Sequence, residues 1–333
     1  PLQFIDLILW IKSNKSLIFM YPDLSYVFHD LFGTPVDNWS SIVKMFGLML
    51  AIAILCSSYF LSLELKRREK DGSIKPIKIT KDGKSTTIWP HEKVGDITMV
   101  AAISGVVGAK LFAVFESIDS IKSFIRDPFH TLFSGSGLAI YGGLIVAFFA
   151  VTWYVRKFGI KILTICDATA PSLMIGYGVG RIGCQLSGDG DWGVVAANKP
   201  NWFILPDWLW SNTYPRNVAQ EGVKMVDCVG NYCTELAQGV YPTPIYETIL
   251  AFIIFGILWS LRKTLIKPGQ IFFLYCLLNG LERFFIEKIR VNDTFDFGVF
   301  TASQAEIIAF FLFFIGIAGF MIVSKKPLHK VQV

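Results

Sequence analysis

Two arginines and a glutamate lie at helical spacing at the end of an apolar stretch in the C-terminal part of the sequence. Arg283, Glu287 and Arg290 are spaced so that a helix places them on one face. Arginine binds phosphate oxygens through paired hydrogen bonds, and a carboxylate can orient a guanidinium or accept a hydroxyl proton. Such a face could therefore bind a phosphate ester. A buried structural ion pair between helices needs the same residue types, and charge alone favours neither interpretation.

A glycine-rich segment supplies another arginine and two acids. It reads Gly-Val-Gly-Arg-Ile-Gly-Cys-Gln-Leu-Ser-Gly-Asp-Gly-Asp-Trp-Gly from residue 178 to 193, with Arg181 near its start and Asp189 and Asp191 near its end. Glycines let a ligand approach backbone N–H groups closely. Arg181 and Arg283 could then bind one phosphate together. The spacing is not a dinucleotide fingerprint, because no strand precedes it.

Other reaction classes find little support in the sequence. The four histidines are scattered and have no metal-ligand spacing, so we expect no zinc site. No Gly-x-Ser-x-Gly elbow and no Walker loop occurs. The Asp-Gly-Asp run at residues 189–191 does not continue into the helical aspartate motif of a metal-dependent alcohol phosphatidyltransferase.

Membrane helices are the elements that must position these residues. The chain has 333 residues, of which 53% are hydrophobic and 15% aromatic, and a soluble fold of this size would not bury that much apolar material. Backbone in hydrocarbon must satisfy its own hydrogen bonds, so we predict an all-α polytopic bundle. About seven stretches are long and apolar enough to span a bilayer: 43–64, 95–115, 138–155, 162–182, 245–261, 270–287 and 303–323.

The placement of Lys and Arg predicts the topology. Basic blocks follow the first, third, fifth and seventh stretches, and such blocks mark the cytoplasmic side; they begin at Lys66, Arg156, Arg262 and Lys325. The N-terminus is then outside and the C-terminus cytoplasmic. The net charge of +5 comes from these short blocks, so it is a topology signal and not a nucleic-acid footprint.

The topology divides the chain into four parts. They are an interfacial N-terminal arm at 1–42, four membrane helices at 43–183, an extracytoplasmic loop at 184–244 and three membrane helices with a basic tail at 245–333. Cys228 and Cys233 lie in the outside loop, where the compartment is oxidising. They could form a disulfide or remain free thiols.

Four motifs resemble those of the prolipoprotein diacylglyceryl transferases of bacterial plasma membranes. Residues 178–193 resemble the family signature Gly-Arg-(Ile/Leu)-Gly-Asn-Phe-(Ile/Leu)-Asn-Gly-Glu followed by Trp-Gly. Residues 141–145 resemble His-Gly-Gly-Leu-(Ile/Leu), and 241–247 resemble His-Pro-(Ser/Thr)-Gln-Leu-Tyr-Glu. Residues 283–293 resemble Arg-x-x-x-Glu-x-x-Arg-x-x-Asp. The likeness covers most of the chain, from about Val43 to the seventh stretch.

This chain departs from the family pattern at several polar positions. Tyr141 stands where the family has a histidine, and Cys184 replaces the signature asparagine. The family's acid occurs as Asp189, with one extra residue before Trp192, and Tyr241 replaces a second histidine. The sequence thus resembles a divergent branch that keeps the arginines and glycines but changes the candidate base.

The resemblance implies a specific reaction in the bacterial inner membrane. The diacylglyceryl group of phosphatidylglycerol would pass to the lipobox cysteine of a prolipoprotein signal peptide, releasing glycerol 1-phosphate. Membrane lipids and the signal peptide would be the partners, with no nucleic acid, cofactor or metal. The alternatives are a non-catalytic phospholipid-binding or transport protein and a different acyl or phosphatidyl transferase.

The resemblance also suggests roles for individual residues. Arg181 and Arg283 would stabilise the phosphate, Glu287 would hold the headgroup glycerol or orient an arginine, and Arg290 would support it. Tyr141 is a weak base at its ordinary pKa of about 10, so it would need Arg181 nearby or would only position the phosphate. An aromatic-belt role is the alternative for Tyr141. The other candidates for substrate binding are Gly142, Gly143, Gly183, Asp189, Gly193 and Tyr246.

Overall fold

The computed structural model describes residues 20–81, 84–115, 118–128, 139–292, 294–296, 298 and 301–325. The described part of the chain contains nine α-helices. They are α1 (Leu24–Phe32), α2 (Met45–Lys70), α3 (Val94–Phe115), α4 (Ile118–Arg126), α5 (Ile140–Arg156), α6 (Ile162–Ser187), α7 (Thr243–Leu261), α8 (Gln270–Glu287) and α9 (Gln304–Lys325). All seven stretches predicted to be helical are helices. Residues 1–19 of the predicted N-terminal arm lie outside the described residues.

Short antiparallel hairpins accompany the helices. Strands β1 (Ile77–Lys81) and β2 (Lys84–Ile88) pair with Ile77 opposite Ile88. Strands β3 (Val223–Lys224) and β4 (Thr234–Glu235) pair, as do β5 (Thr294–Asp296) and β6 (Thr301–Ser303). Short 3-10 helices occur at Trp39–Ile42, Pro90–Lys93 and Asp207–Leu209.

Within the residues that the structure describes, five helices are long and apolar enough to cross a membrane. They span Met45–Lys70, Pro90–Phe115, Ile162–Ser187, Thr243–Leu261 and Gln304–Lys325. The chain is thus a polytopic helical membrane protein, as predicted. Helix α5 is shorter, with 17 residues, and α8 carries Glu282, Arg283 and Glu287 near its end. A total of seven spans remains a prediction.

The chain divides into two compact units. One comprises Ser57–Ser172, and the other joins Pro1–Cys56 to Leu173–Val333. In the first unit glycines bring α3 and α5 together. A Cβ on Gly142 would lie 2.3 Å from Cβ of Phe112, and a Cβ on Gly143 would lie 2.8 Å from the carbonyl oxygen of Gly105. Small residues at this crossing therefore allow two helix backbones to approach closely.

Replacing Gly142 by alanine should lower the thermal stability of the protein in detergent. The added methyl group must displace Phe112 or separate the two helices, and overpacking of this kind costs about 1–3 kcal/mol. Gly95→Ala is a matched control, because a Cβ at Gly95 in α3 has no atom within 4 Å. Equal melting temperatures for the two variants would contradict the close helix contact.

The second unit contains a folded region between α6 and α7. Trp192 and Tyr214 pack with their ring centroids 5.1 Å apart, and the Tyr214 hydroxyl donates to Oε1 of Gln185 at 2.8 Å. Cys228 and Cys233 form a disulfide, which the sequence left open. The predicted outside loop is thus an ordered structure built on the ends of two helices.

Candidate active site

Helix ends bring the charged residues of the second unit together. Helix α6 ends at Ser187, where Gly188 adopts a left-handed conformation (φ +61°) and its N–H donates to the carbonyl of Cys184 at 2.9 Å. This glycine cap turns the chain toward Asp189 and Asp191. Helix α7 begins at Thr243, with a proline in its first turn where no N–H is needed. One turn later α7 presents Glu247 to the same region.

Three arginines converge on the carboxylate of Glu247, which is fully buried. Nε of Arg181 lies 2.5 Å from Oε2, and Nη1 of Arg290 lies 3.1 Å from Oε1. Nη1 of Arg283 is 3.6 Å from Oε2. The Tyr177 hydroxyl also donates to Oε2. Glu247 is thus the centre of the cluster.

Asp191 bonds to two of these arginines from a more exposed position. Its Oδ2 accepts a hydrogen bond from Nη1 of Arg181, and its Oδ1 lies 2.6 Å from Nη2 of Arg290. The Asp191 side chain is 33% exposed, whereas that of Glu247 is 0% exposed. Burial raises the pKa of Asp191, but Arg181 and Arg290 outweigh it and hold that pKa below its ordinary value. Asp191 is therefore an ionised group on the accessible side of the arginines.

Glu287 fixes the third arginine. Its Oε2 lies 3.1 Å from Nη2 of Arg283. Its Oε1 accepts hydrogen bonds from Asn292 Nδ2 at 2.5 Å and from Ser303 Oγ at 2.7 Å. A carboxylate held by three partners has one orientation, so Glu287 orients Arg283 rather than moving freely.

The cluster balances three guanidinium groups against three carboxylates. Arg181, Arg290 and Arg283 have side-chain exposures of 13%, 8% and 22%. Burying so many charges is costly unless they are paired and hydrogen-bonded. Once paired, they form an array of donors that need not reorganise when an anion binds, and such arrays stabilise charge developing in a transition state.

By its motif position, Asp189 corresponds to the family's acid. No described hydrogen bond or ion pair joins it to the arginines. Its Oδ1 accepts a hydrogen bond from the backbone N–H of Asp191 at 3.4 Å. Burial, and next the charge of Asp191, raise the pKa of Asp189. In this chain the arginine contacts are made by Asp191, two residues later. Cys184, Asp189 and Asp191 place potential metal-ligand atoms within 4.8 Å of one another, but both Asp191 oxygens are already bonded to arginines.

The predicted glycine and tyrosine positions support the site rather than contact its charges. Gly193 donates its N–H to the carbonyl of Tyr241 at 2.9 Å, and a Cβ there would lie 2.6 Å from the carbonyl oxygen of Ile289. A Cβ on Gly183 would lie 3.0 Å from Cβ of Met49. The Tyr246 hydroxyl donates to the carbonyl of Leu209 at 2.6 Å.

Four other residues that the sequence singled out have no described contact with the charged cluster. Gly142 and Gly143 pack α5 against α3 in the first unit. The side chain of Tyr141 and all of Asp293 lie outside the described residues. The proposed role of Tyr141 therefore stays a prediction.

The sequence reasoning missed Glu247 and Tyr177. Glu247 occurs only as the last residue of a motif, although it lies inside a stretch predicted to span the membrane. A carboxylate inside a span marks a functional site by default, and that signal could have identified it. Tyr177 carried no signal, because a tyrosine in an apolar helix is ordinary.

Comparison with known proteins identifies the family. The family model for prolipoprotein diacylglyceryl transferase matches residues 39–322, a range that includes every charged residue of the site. The chain belongs to this family. It is accordingly a transferase of lipoprotein maturation, and the resemblance inferred from the four motifs is confirmed.

Individual relatives agree with this assignment. The chain is 29% identical over 297 residues to the phosphatidylglycerol–prolipoprotein diacylglyceryl transferase of Leptospira interrogans serovar copenhageni, covering 81% of this chain and 77% of the relative. Proteins of the same name in Clostridium tetani and Dehalococcoides mccartyi are 26% and 25% identical over 298 and 289 residues. Those alignments cover 89% and 86% of this chain and 96% and 92% of the relatives.

Proposed function

We propose that this chain transfers the diacylglyceryl group of phosphatidylglycerol to the thiol of a lipobox cysteine, releasing glycerol 1-phosphate. The observation that carries the proposal is the convergence of Arg181, Arg283 and Arg290 on Glu247, with Asp191 as their more exposed acid. This arrangement holds a fixed set of cationic donors where a phosphate can reach them. Bidentate donors suit a phosphodiester better than a single ammonium group does.

The reaction moves negative charge onto the phosphate. The thiolate sulfur forms a bond to the terminal glyceryl carbon, the bond between that carbon and the phosphate ester oxygen breaks, and its electron pair stays on the oxygen. A phosphodiester with one negative charge becomes a phosphomonoester that carries a second. Guanidinium groups aimed at those oxygens lower the barrier, because their attraction increases as the charge develops.

We assign Arg181 and Arg283 to the phosphate and give the acids supporting roles. Arg283 is the most exposed of the three guanidinium groups and is held by Glu247 and Glu287. Arg181 is shared between Glu247 and Asp191. Both guanidinium groups contact Oε2 of Glu247, so a headgroup phosphate could bridge them once Arg181 releases the Asp191 carboxylate. Arg290 bonds to the same two acids and would keep Arg181 in position.

The proton of the lipobox thiol must pass to another group before sulfur attacks. We do not assign Tyr141 as the base, because the ordinary pKa of tyrosine is about 10; positioning the phosphate stays its sequence-based role. Oε1 of Glu287 already accepts two hydrogen bonds and Oε2 faces Arg283, so orienting Arg283 is the role that its contacts favour.

The proposed topology has seven spans in the bacterial inner membrane, with the N-terminus outside and the C-terminus cytoplasmic. Helices α5 and α8 would add two spans to the five long apolar helices. The cluster lies at the end of α6, the beginning of α7 and the end of α8, which are consecutive helices of alternating direction. One end of the bundle would then hold the site at headgroup depth. Phosphatidylglycerol would enter from the bilayer, and the signal peptide would arrive as a membrane segment with its cysteine at the outer face.

The direct test is release of glycerol 1-phosphate by purified protein in phosphatidylglycerol vesicles. We expect two products in equal amounts: glycerol 1-phosphate and a peptide that has gained the mass of one diacylglyceryl group. A peptide with serine in place of the lipobox cysteine should give neither product. Binding of phosphatidylglycerol without release, with every lipobox peptide tried, would instead indicate a phospholipid-binding protein.

A further inference from the structure

Residues 199–210, which we name the aromatic loop, form a closed turn with an apolar tip. Nζ of Lys199 lies 2.5 Å from Oδ1 of Asp207 and 3.3 Å from the carbonyl oxygen of Leu205. Backbone hydrogen bonds from Phe203 to Pro200 and from Trp210 to Asp207, at 3.0 and 2.9 Å, close the turn further. These contacts all join residues within the loop.

The tip of the aromatic loop presents exposed apolar side chains. Trp202 is 75% exposed and Ile204 is 93% exposed, and Leu205 is also exposed. Phe203 packs with its ring centroid 5.0 Å from that of Trp210, which supports the tip from behind. Single exposed apolar residues are common on protein surfaces, but a contiguous set marks an interaction site.

The aromatic loop is fastened to the first turn of α7. The Trp210 and Tyr241 rings lie 5.5 Å apart, and Nε1 of Trp210 donates to the carbonyl of Ala197 at 2.7 Å. The Tyr246 hydroxyl donates to the carbonyl of Leu209. Side chains on a helix lean toward its N-terminus, so this bond places the loop beside the beginning of α7. That is the level at which a candidate membrane helix meets water.

Helix α7 exposes apolar side chains on the face that carries Tyr246, the residue that bonds to the loop, because Ile249 and Ile253 follow Tyr246 at helical spacing. Ile249, Phe252 and Ile253 are exposed along this helix, and on a membrane helix such residues contact lipid. Tryptophan is enriched at the membrane–water boundary because its ring is apolar and its N–H is polar. The composition of the tip and its attachment beside this face of α7 both favour a lipid environment.

We propose that the aromatic loop is an interfacial anchor whose tip, Trp202–Leu205, is buried in the bilayer leaflet at which α7 begins. The occupant of this surface is phospholipid. The loop would hold the neighbouring site at headgroup depth, because Thr243 at the start of α7 donates through Oγ1 to the carbonyl of Asp191 at 2.7 Å. This role does not depend on which reaction the cluster performs.

A spin label at residue 204 tests the anchor. Ile204→Cys would be labelled with a nitroxide in a Cys56→Ser background, since Cys56 is half-buried and the other free cysteines are buried. The labelled protein would be reconstituted in phosphatidylcholine vesicles containing phosphatidylglycerol. Val226→Cys is the matched control, because Val226 is 87% exposed in the same region but lies between Met225 and Asp227.

The measured quantity is the ratio of collision rates with oxygen, which concentrates in lipid, and with a water-soluble nickel chelate. We expect this ratio to be several-fold higher at residue 204 than at residue 226. Equal ratios would overturn the anchor. A label at residue 204 that is shielded from the nickel chelate only after a signal peptide is added would also overturn the anchor, because the tip would then bind peptide rather than lipid. Neither readout uses transferase activity, so failure of the anchor is distinguishable from failure of the proposed reaction.

Discussion

Replacement of Glu247 by alanine is expected to abolish transfer and to lower the free energy of unfolding by about 3–5 kcal/mol. The carboxylate is fully buried and faces Arg181, Arg283 and Arg290. Its removal leaves three guanidinium groups close together, with Asp191 and Glu287 as their remaining ion-pair partners among the described residues. The arginines should separate, and the phosphate site should lose its geometry. Glycerol 1-phosphate release and thermal unfolding in detergent would be measured on the same preparations.

Glu64→Ala is the matched control for the loss of a buried glutamate. Glu64 is also almost completely buried, and it pairs with Arg67 at 2.6 Å and with Arg68 at 2.8 Å. This variant should lose stability to a similar degree, while the folded fraction keeps its rate. Folded Glu247→Ala protein that transfers at the wild-type rate would show that the arginines do not require this carboxylate.

The helices were predictable because their patterns are local. Each of the seven stretches found by apolar length is a helix in the structure, with ends that differ by a few residues. Apolar length does not decide how many of them cross the bilayer. Helix α8 carries Glu282, Arg283 and Glu287, and these charges lower its mean hydropathy. Two of them, Arg283 and Glu287, belong to the site.

The site was predictable only in part because its pairing depends on three separate helix ends. The spacing of Arg283 and Glu287 predicted their contact within one helix. The sequence did not predict that Asp191, and not Asp189, contacts the arginines. That outcome depends on how the chain turns at Gly188 and Gly190, which both have positive φ. The pairing of Glu247 was likewise not predictable, because its three partners come from α6, α8 and the turn after α8.

Arg283→Ala should reduce the turnover rate by about 10²–10³-fold, the usual cost of removing one preorganised donor to a developing oxyanion. Arg283 lies 3.1 Å from Glu287 and 3.6 Å from Glu247, so two acids aim its guanidinium. Arg283→Lys should recover only part of the rate, because an ammonium group has no planar pair of donors to bridge the acids and a phosphate. Initial rates would be measured over a range of phosphatidylglycerol mole fractions.

Arg67→Ala provides the control, since Arg67 is 25% exposed, close to the 22% of Arg283, and also pairs with two acids. Its kcat should stay near that of the wild type. The division of the Arg283 effect between kcat and KM then tests the assigned role. An arginine that meets charge developing on the leaving phosphate lowers kcat, whereas one that only holds the headgroup raises KM with kcat unchanged. A raised KM with unchanged kcat would indicate that Arg181, and not Arg283, meets the developing charge. The bonds of Arg181 to Glu247 and Asp191 would remain in the Arg283→Ala variant.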